Sequence, residues 1–183
     1  MKDILTHEEA DKCLDILEET YPDAHCELDH KSPFELLVAT ILSAQCTDIR
    51  VNKVTSEMFK KYNKPEDFAN MDINKLEGLI KECGLFRNKA KNIKASSSVI
   101  LENYNGEVPN TISELMKLPG VGKKTANVVA STAFGVPAIA VDTHVFRVSN
   151  RIGFVHEKNV LDTERALQNK IDKSRWTKAH HLF

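Results

Sequence analysis

In the stretch "TISELMKLPGVGKKTANVVASTAFG", Pro119, Gly120 and Gly122 interrupt two runs of helical character, and nothing else in the chain restricts its fold as tightly. Proline cannot continue a helix, and glycine lets the backbone turn where a Cβ would obstruct it, so one helix must stop and another begin almost at once. Thr111 and Glu114 have capping-box spacing ahead of the turn, while Gly135 and Pro137 supply a stop after "KKTANVVASTAF". The prediction over about residues 111–134 is helix, tight hairpin, helix.

The same punctuation recurs elsewhere. In "SPFELLVATILSAQ", Ser32 and Glu35 repeat the capping-box spacing, Pro33 takes the first helical position, and an almost wholly apolar run predicts a central, buried helix. "DINKLEGLIKECG" places Ile73, Leu76, Leu79 and Ile80 on one helical face and then Gly84 as a left-handed stop, with Leu85 just past it. Asp142 and Gly153 have N-cap and C-cap positions around "THVFRVSNRI", and "NVLDTERALQNKI" has the pattern of an amphipathic helix. No segment alternates with period two between hairpin turns, so the fold class expected is all-α.

Two lysines follow the hairpin. A helix N-terminus carries partial positive charge and unpaired amide hydrogens, so Lys123 and Lys124 need an offsetting influence. A bound anion would supply one, held by backbone amides around Gly120, Val121 and Gly122 and by Lys123. An amine acting partly as a neutral nucleophile would be another, and Lys124 would gain that character from desolvation, from Lys123 and from the helix start. Spacing alone fits equally well a corner whose glycines serve only the turn. Asp142 follows the apolar "AIAV" at a helix start, which suits either a plain N-cap or an ionised carboxylate able to stabilise a cationic transition state.

Composition narrows the partners. Apolar residues make up 42% and charged residues 28%, as in an ordinary globular chain, and 25 basic against 26 acidic side chains leave a formal charge of −1. The whole chain therefore has no electrostatic reason to coat DNA or a membrane, and any nucleic-acid site must be a local patch. "FRNKAKNIK", with Arg87, Lys89, Lys91 and Lys94 and no acidic residue, is either that patch or a solvated helix face. No secretory signal or membrane span is evident, so a cytoplasmic protein is expected, nucleoid-associated if prokaryotic. Cys13, Cys26, Cys46 and Cys83 lack disulfide or ligand spacing, and the neighbours His180 and His181 point in different directions on a helix, so no metal is expected.

"LPGVGKKTANVVASTAFGVPAIAVDTHVFRVSNRIG", with "SPFELLVATILSAQCTDIRVN" and "GLFRNKAKNI", closely resembles the endonuclease III family of DNA glycosylases from about Leu5 through His181. The resemblance implies a helix–hairpin–helix glycosylase fold with two helical lobes and a DNA cleft between them. Residues 25–136 would form the central lobe, and 1–24 with 137–183 the second. It implies that Lys124 attacks C1′ of a damaged pyrimidine nucleotide and forms a Schiff base through which β-elimination cuts the strand, with Asp142 stabilising positive charge on the sugar. By the same correspondence Gln45 and Leu85 enter the duplex around a flipped nucleotide. Gly120, Val121, Gly122, Lys123, Arg87, Lys89 and His144 would contact or orient the DNA.

The implied partner is double-stranded DNA with damaged pyrimidines or abasic sites, engaged by a monomer. Typical members carry four further cysteines that ligate an iron–sulfur cluster. This sequence stops at Phe183 before them, so no 4Fe–4S cluster is expected in the chain, and the second lobe is expected to be incomplete, with apolar surface uncovered. The reading is a bifunctional glycosylase and apurinic/apyrimidinic lyase of base-excision repair. The alternative is a truncated helix–hairpin–helix protein that grips DNA without cutting it.

Overall fold

In the computed structural model, which describes residues 4–183, the regular elements are helices, and no strand occurs among the described residues. In chain order these are α1 (His7–Thr20), α2 (Pro33–Ser43), α3 (Asp48–Met58), α4 (Pro65–Ala69), α5 (Ile73–Leu79), α6 (Phe86–Tyr104), α7 (Ile112–Leu115), α8 (Lys123–Phe134), α9 (Thr143–Ile152), α10 (Val160–Lys170) and α11 (Trp176–Leu182). Contacts divide the chain into Glu27–Phe134 and a second unit that joins the residues up to Cys26 to Gly135–Phe183.

The unit Glu27–Phe134 is built on α2, whose residues Phe34 to Leu42 are all buried. Burying each large aliphatic side chain there contributes roughly 1.5–3 kcal/mol. Ser32 caps the helix by accepting from the Glu35 amide at 3.2 Å, but the Glu35 carboxylate turns to the Lys31 amide at 2.6 Å instead of to Ser32. The sequence-predicted box is therefore displaced by one residue on its return arm. Helices α3, α6 and α8 pack on α2, and Phe34 meets the Phe68 ring of α4 at 5.5 Å. Helix α6 presents the buried stripe Lys89, Ile93, Ser96, Ser97 and Ile100.

The stop after α5 differs from expectation. The helix ends at Leu79, a 3-10 turn covers Lys81–Cys83, and Gly84 has φ 59° and ψ 156°, outside the left-handed helical region. Leu85 itself takes the left-handed conformation, with φ 45° and ψ 26°.

The other unit closes around Leu14, Ile139, Phe154 and Leu167, all fully buried. Asp142 caps α9, Gly153 ends it with φ 104°, and Asn159 caps α10. Arg175 ties the segment before α11 to α1 through Asp15 at 2.9 Å and Glu18 at 3.1 Å. The uncovered apolar surface expected of this lobe does not include Leu182 and Phe183, which are buried at 8% and 7% exposure, with the Phe183 ring edge-on to Phe154 at 4.9 Å. Nor do the adjacent histidines diverge, since the His180 and His181 ring centroids are 4.7 Å apart.

Candidate active site and nucleic-acid interface

The hairpin is held from behind by α6. The Val121 amide donates to the Leu118 carbonyl at 3.1 Å, closing the turn, and Ser96 Oγ donates to the Pro119 carbonyl at 2.6 Å. Gly120 has φ 77°, and a Cβ there would stand 2.6 Å from Cβ of Asn92, so both its dihedral and its packing require glycine. Gly122 differs, because a Cβ there would meet no atom within 4 Å. Its carbonyl accepts from the Ala126 amide at 2.9 Å, which makes it the residue preceding α8.

Helix α8 therefore begins with Lys123 and Lys124, both exposed. The apolar enclosure anticipated for Lys124 is absent, and its side chain stands at the end of a helix where amide hydrogens and the backbone dipole concentrate positive potential. Val121 splits by atom: its side chain is core at 6% exposure and its amide is spent in the turn, so of the three hairpin residues it has least to offer a phosphate.

Asp142 lies in the other unit, half-buried, where one carboxylate oxygen, Oδ1, accepts from the amides of His144 and Val145, each at 2.9 Å. That is the N-cap geometry, and it fixes the carboxylate in place. His144 is exposed, and its Nδ1 lies 3.2 Å from the Arg147 guanidinium, which sets its ring orientation.

Gln45 and Leu85 share a property that their sequence neighbourhoods do not announce. Both are exposed, and both are non-glycine residues at positive φ, 53° and 45°. Among the described residues only Asn105 joins them, as the C-cap of α6. A glutamine or leucine in the left-handed region costs about 1–2 kcal/mol. Gln45 follows the end of α2, and Leu85 precedes α6.

The basic stretch does not form one surface. Arg87 is exposed over the Phe86 ring, 5.0 Å from its centroid, with Glu77 at 3.9 Å, and Lys91 is exposed. Lys89, expected among the DNA-contacting residues, is only 4% exposed and donates to the carbonyls of Leu42 at 2.8 Å and Cys83 at 2.5 Å. Lys94 likewise turns inward, to the carbonyls of Ala69 at 2.5 Å and Met71 at 2.7 Å. Helical periodicity is the reason: Lys89 falls in register with Ile93 and Ile100 on the buried stripe. That spacing was the available signal for its burial. Asn92 and Ser96, which brace the hairpin, carried no comparable one.

Residues 38–173 match the HhH-GPD superfamily of base excision DNA repair proteins. Endonuclease III of Bacillus subtilis is 56% identical over 170 residues, which is 92% of this chain and 78% of that protein. The chain belongs to the endonuclease III family. Two solved endonuclease III structures, a non-covalent DNA complex and a trapped covalent intermediate with DNA, superpose with TM-score 0.94 at 54% identity, covering 98% of this chain and 84% of theirs. As an endonuclease III homologue, the protein is a base-excision repair enzyme that acts on DNA as a glycosylase and AP lyase.

The cysteines of the described residues are not gathered as one set of cluster ligands. Among the described residues no group of three or more histidine, cysteine or acidic side chains is placed to hold a metal, and the four cysteines are divided two and two between the units. No helix among the described residues is long and apolar enough to cross a membrane.

Proposed function

We propose that the protein removes oxidised pyrimidines from duplex DNA as a cytoplasmic monomer, with Lys124 as nucleophile and Asp142 as the carboxylate facing the sugar. The observation that carries this reading is Lys124 itself. It is an exposed amine at the start of α8, on a hairpin braced by Ser96 and Asn92, in a chain 54% identical to a protein trapped in covalent linkage with DNA.

In this reading the Lys124 nitrogen bonds to C1′ as the C1′–N bond to the base breaks, and the base leaves with a proton. Ring opening gives an iminium, loss of a C2′ proton expels the 3′ phosphate, and the strand is cut. Positive charge at C1′ is highest as the base departs, so a carboxylate fixed by two amides helps most at that moment. Gln45 and Leu85 occupy the space left by the flipped nucleotide, and their left-handed backbone presents both side chains to solvent before DNA arrives. Gly120, Gly122 and Lys123 hold phosphate at the hairpin, with Arg87 supplying further positive charge and His144 orienting the strand.

The deciding experiment incubates the protein with a duplex containing one abasic site and adds borohydride. A covalent adduct with wild type and none with Lys124→Gln supports the assignment. An adduct undiminished in Lys124→Gln removes that lysine from the mechanism, and DNA binding without an adduct favours the non-cutting alternative.

A further inference from the structure

The buried ammonium of Lys89 joins two segments that are far apart in sequence. One contact is to the Leu42 carbonyl in the last turn of α2, three residues before Gln45, and the other is to the Cys83 carbonyl, two residues before Leu85. Carbonyls at a helix end lack acceptor work within the helix, and a cation there also suits the helix dipole. Lys89 is itself anchored in α6, its amide donating to the Leu85 carbonyl at 3.1 Å. One side chain thus meets the base of both loops that carry the exposed left-handed residues.

Stability alone does not explain a cation in this place. The neighbouring stripe positions Ile93 and Ile100 are filled by apolar side chains, and burying an ammonium costs free energy that an apolar residue would avoid. Burial lowers the Lys89 amine from its ordinary value, while the Cys46 and Cys83 thiols beside it act in the opposite sense. What a lysine adds is several donors on one atom, able to hold two carbonyls in fixed register.

We propose that Lys89 is a positioning residue for lesion recognition, coupling the Gln45 and Leu85 loops so that both enter the duplex as one rigid unit. This rests on the reading of Gln45 and Leu85 as the inserted residues. Preorganising two insertion points matters because a flipped nucleotide leaves a single gap, and a wedge displaced by an ångström loses much of the complex.

The test compares Lys89→Met with wild type and with Lys94→Met, which removes a similar lysine-to-carbonyl tie at Ala69 and Met71 away from both loops. Affinity is measured for a duplex carrying a tetrahydrofuran abasic analogue with 2-aminopurine opposite, and for the undamaged duplex. Lys89→Met is expected to lose about tenfold or more in affinity for the abasic duplex, and the 2-aminopurine signal with it, with undamaged affinity unchanged. Lys94→Met should keep the wild-type preference. Equal losses on both duplexes, or an unchanged abasic affinity, overturn the proposal. Hydrogen exchange on the wild type is a second readout, needed if Lys89→Met does not fold. The amides of Cys46, bonded to Ser43 at 3.0 Å, and Cys83, bonded to Ile80 at 2.9 Å, should open together, and unrelated opening rates also overturn it. If wild type shows no preference for the abasic duplex while these amides open together, the insertion reading has failed and the clamp has not.

Discussion

A Cβ on Gly120 would stand 2.6 Å from Cβ of Asn92, so the hairpin and α6 meet at a distance that only glycine permits. Gly120→Ala should therefore destabilise the protein by about 1–3 kcal/mol, combining a steric clash with an unfavourable positive φ. Gly122→Ala adds a methyl group in open space and should cost less than about 1 kcal/mol. If phosphate approaches this face, the same methyl weakens DNA binding. Urea melts and duplex titrations of the two variants separate a stability defect from a binding defect.

Asp142 offers a cleaner separation of charge from structure. Asn retains an Oδ1 able to accept from the His144 and Val145 amides, so Asp142→Asn should change stability by only a few tenths of a kcal/mol, whereas Asp142→Ala loses about 1 kcal/mol of capping. Single-turnover base excision should fall about a hundredfold or more in both. Excision that survives in Asp142→Asn would leave the carboxylate as a cap alone.

Leu85 carries backbone strain at 57% exposure, with little packing to repay it. Asparagine tolerates the left-handed region better than leucine, so Leu85→Asn should raise stability by roughly 0.5–1 kcal/mol. Lesion affinity should drop in the same variant, while binding to undamaged duplex holds. Thermal melts alongside titrations with an abasic-analogue duplex test this. A stability gain without a binding loss would mean that the strain is unrelated to DNA.

The buried thiols make an alkaline prediction. Burial, with the Cys46 thiol and the Glu82 carboxylate adding to it and the Lys89 ammonium opposing, pushes Cys83 from 9.0 up to about 11. The folded state then holds a proton that the unfolded state releases, so this contribution to stability is complete below pH 9 and is lost as pH rises towards about 11. Wild type should lose on the order of 2 kcal/mol relative to Cys83→Ala across that window. Lys89 is present in both proteins and cancels to first order. Denaturant midpoints at several alkaline pH values supply the comparison, and parallel curves would contradict it.

Much of this arrangement was legible because it is punctuated locally. Ser32, Thr111, Asp142 and Gly153 each act within a turn of their own position, so caps, stops and the hairpin could be placed from residue type and spacing. The charge of Lys89 points to the surface while its register with Ile93 and Ile100 points to the core, and the packing of α6 follows the register. The left-handed backbone at Gln45 and Leu85 had no local signature, since neither residue type favours it and the surrounding fold imposes it. The brace from Asn92 and Ser96 to the hairpin depends on the packing of α6 against the turn, which no spacing along the chain encodes.

One unit is assembled from two stretches that flank the other in sequence, and this bears on how the protein is made. Residues Glu27–Phe134 emerge from the ribosome as an uninterrupted stretch able to complete their own core. Helix α1 is synthesised well before the residues that tie it down, since the guanidinium that Glu18 accepts from belongs to Arg175, 157 residues later. At ordinary translation rates α1 waits on the order of ten seconds with Leu14 uncovered. Until Arg175 is made, α1 is the helix of this unit left open to chaperones and proteases.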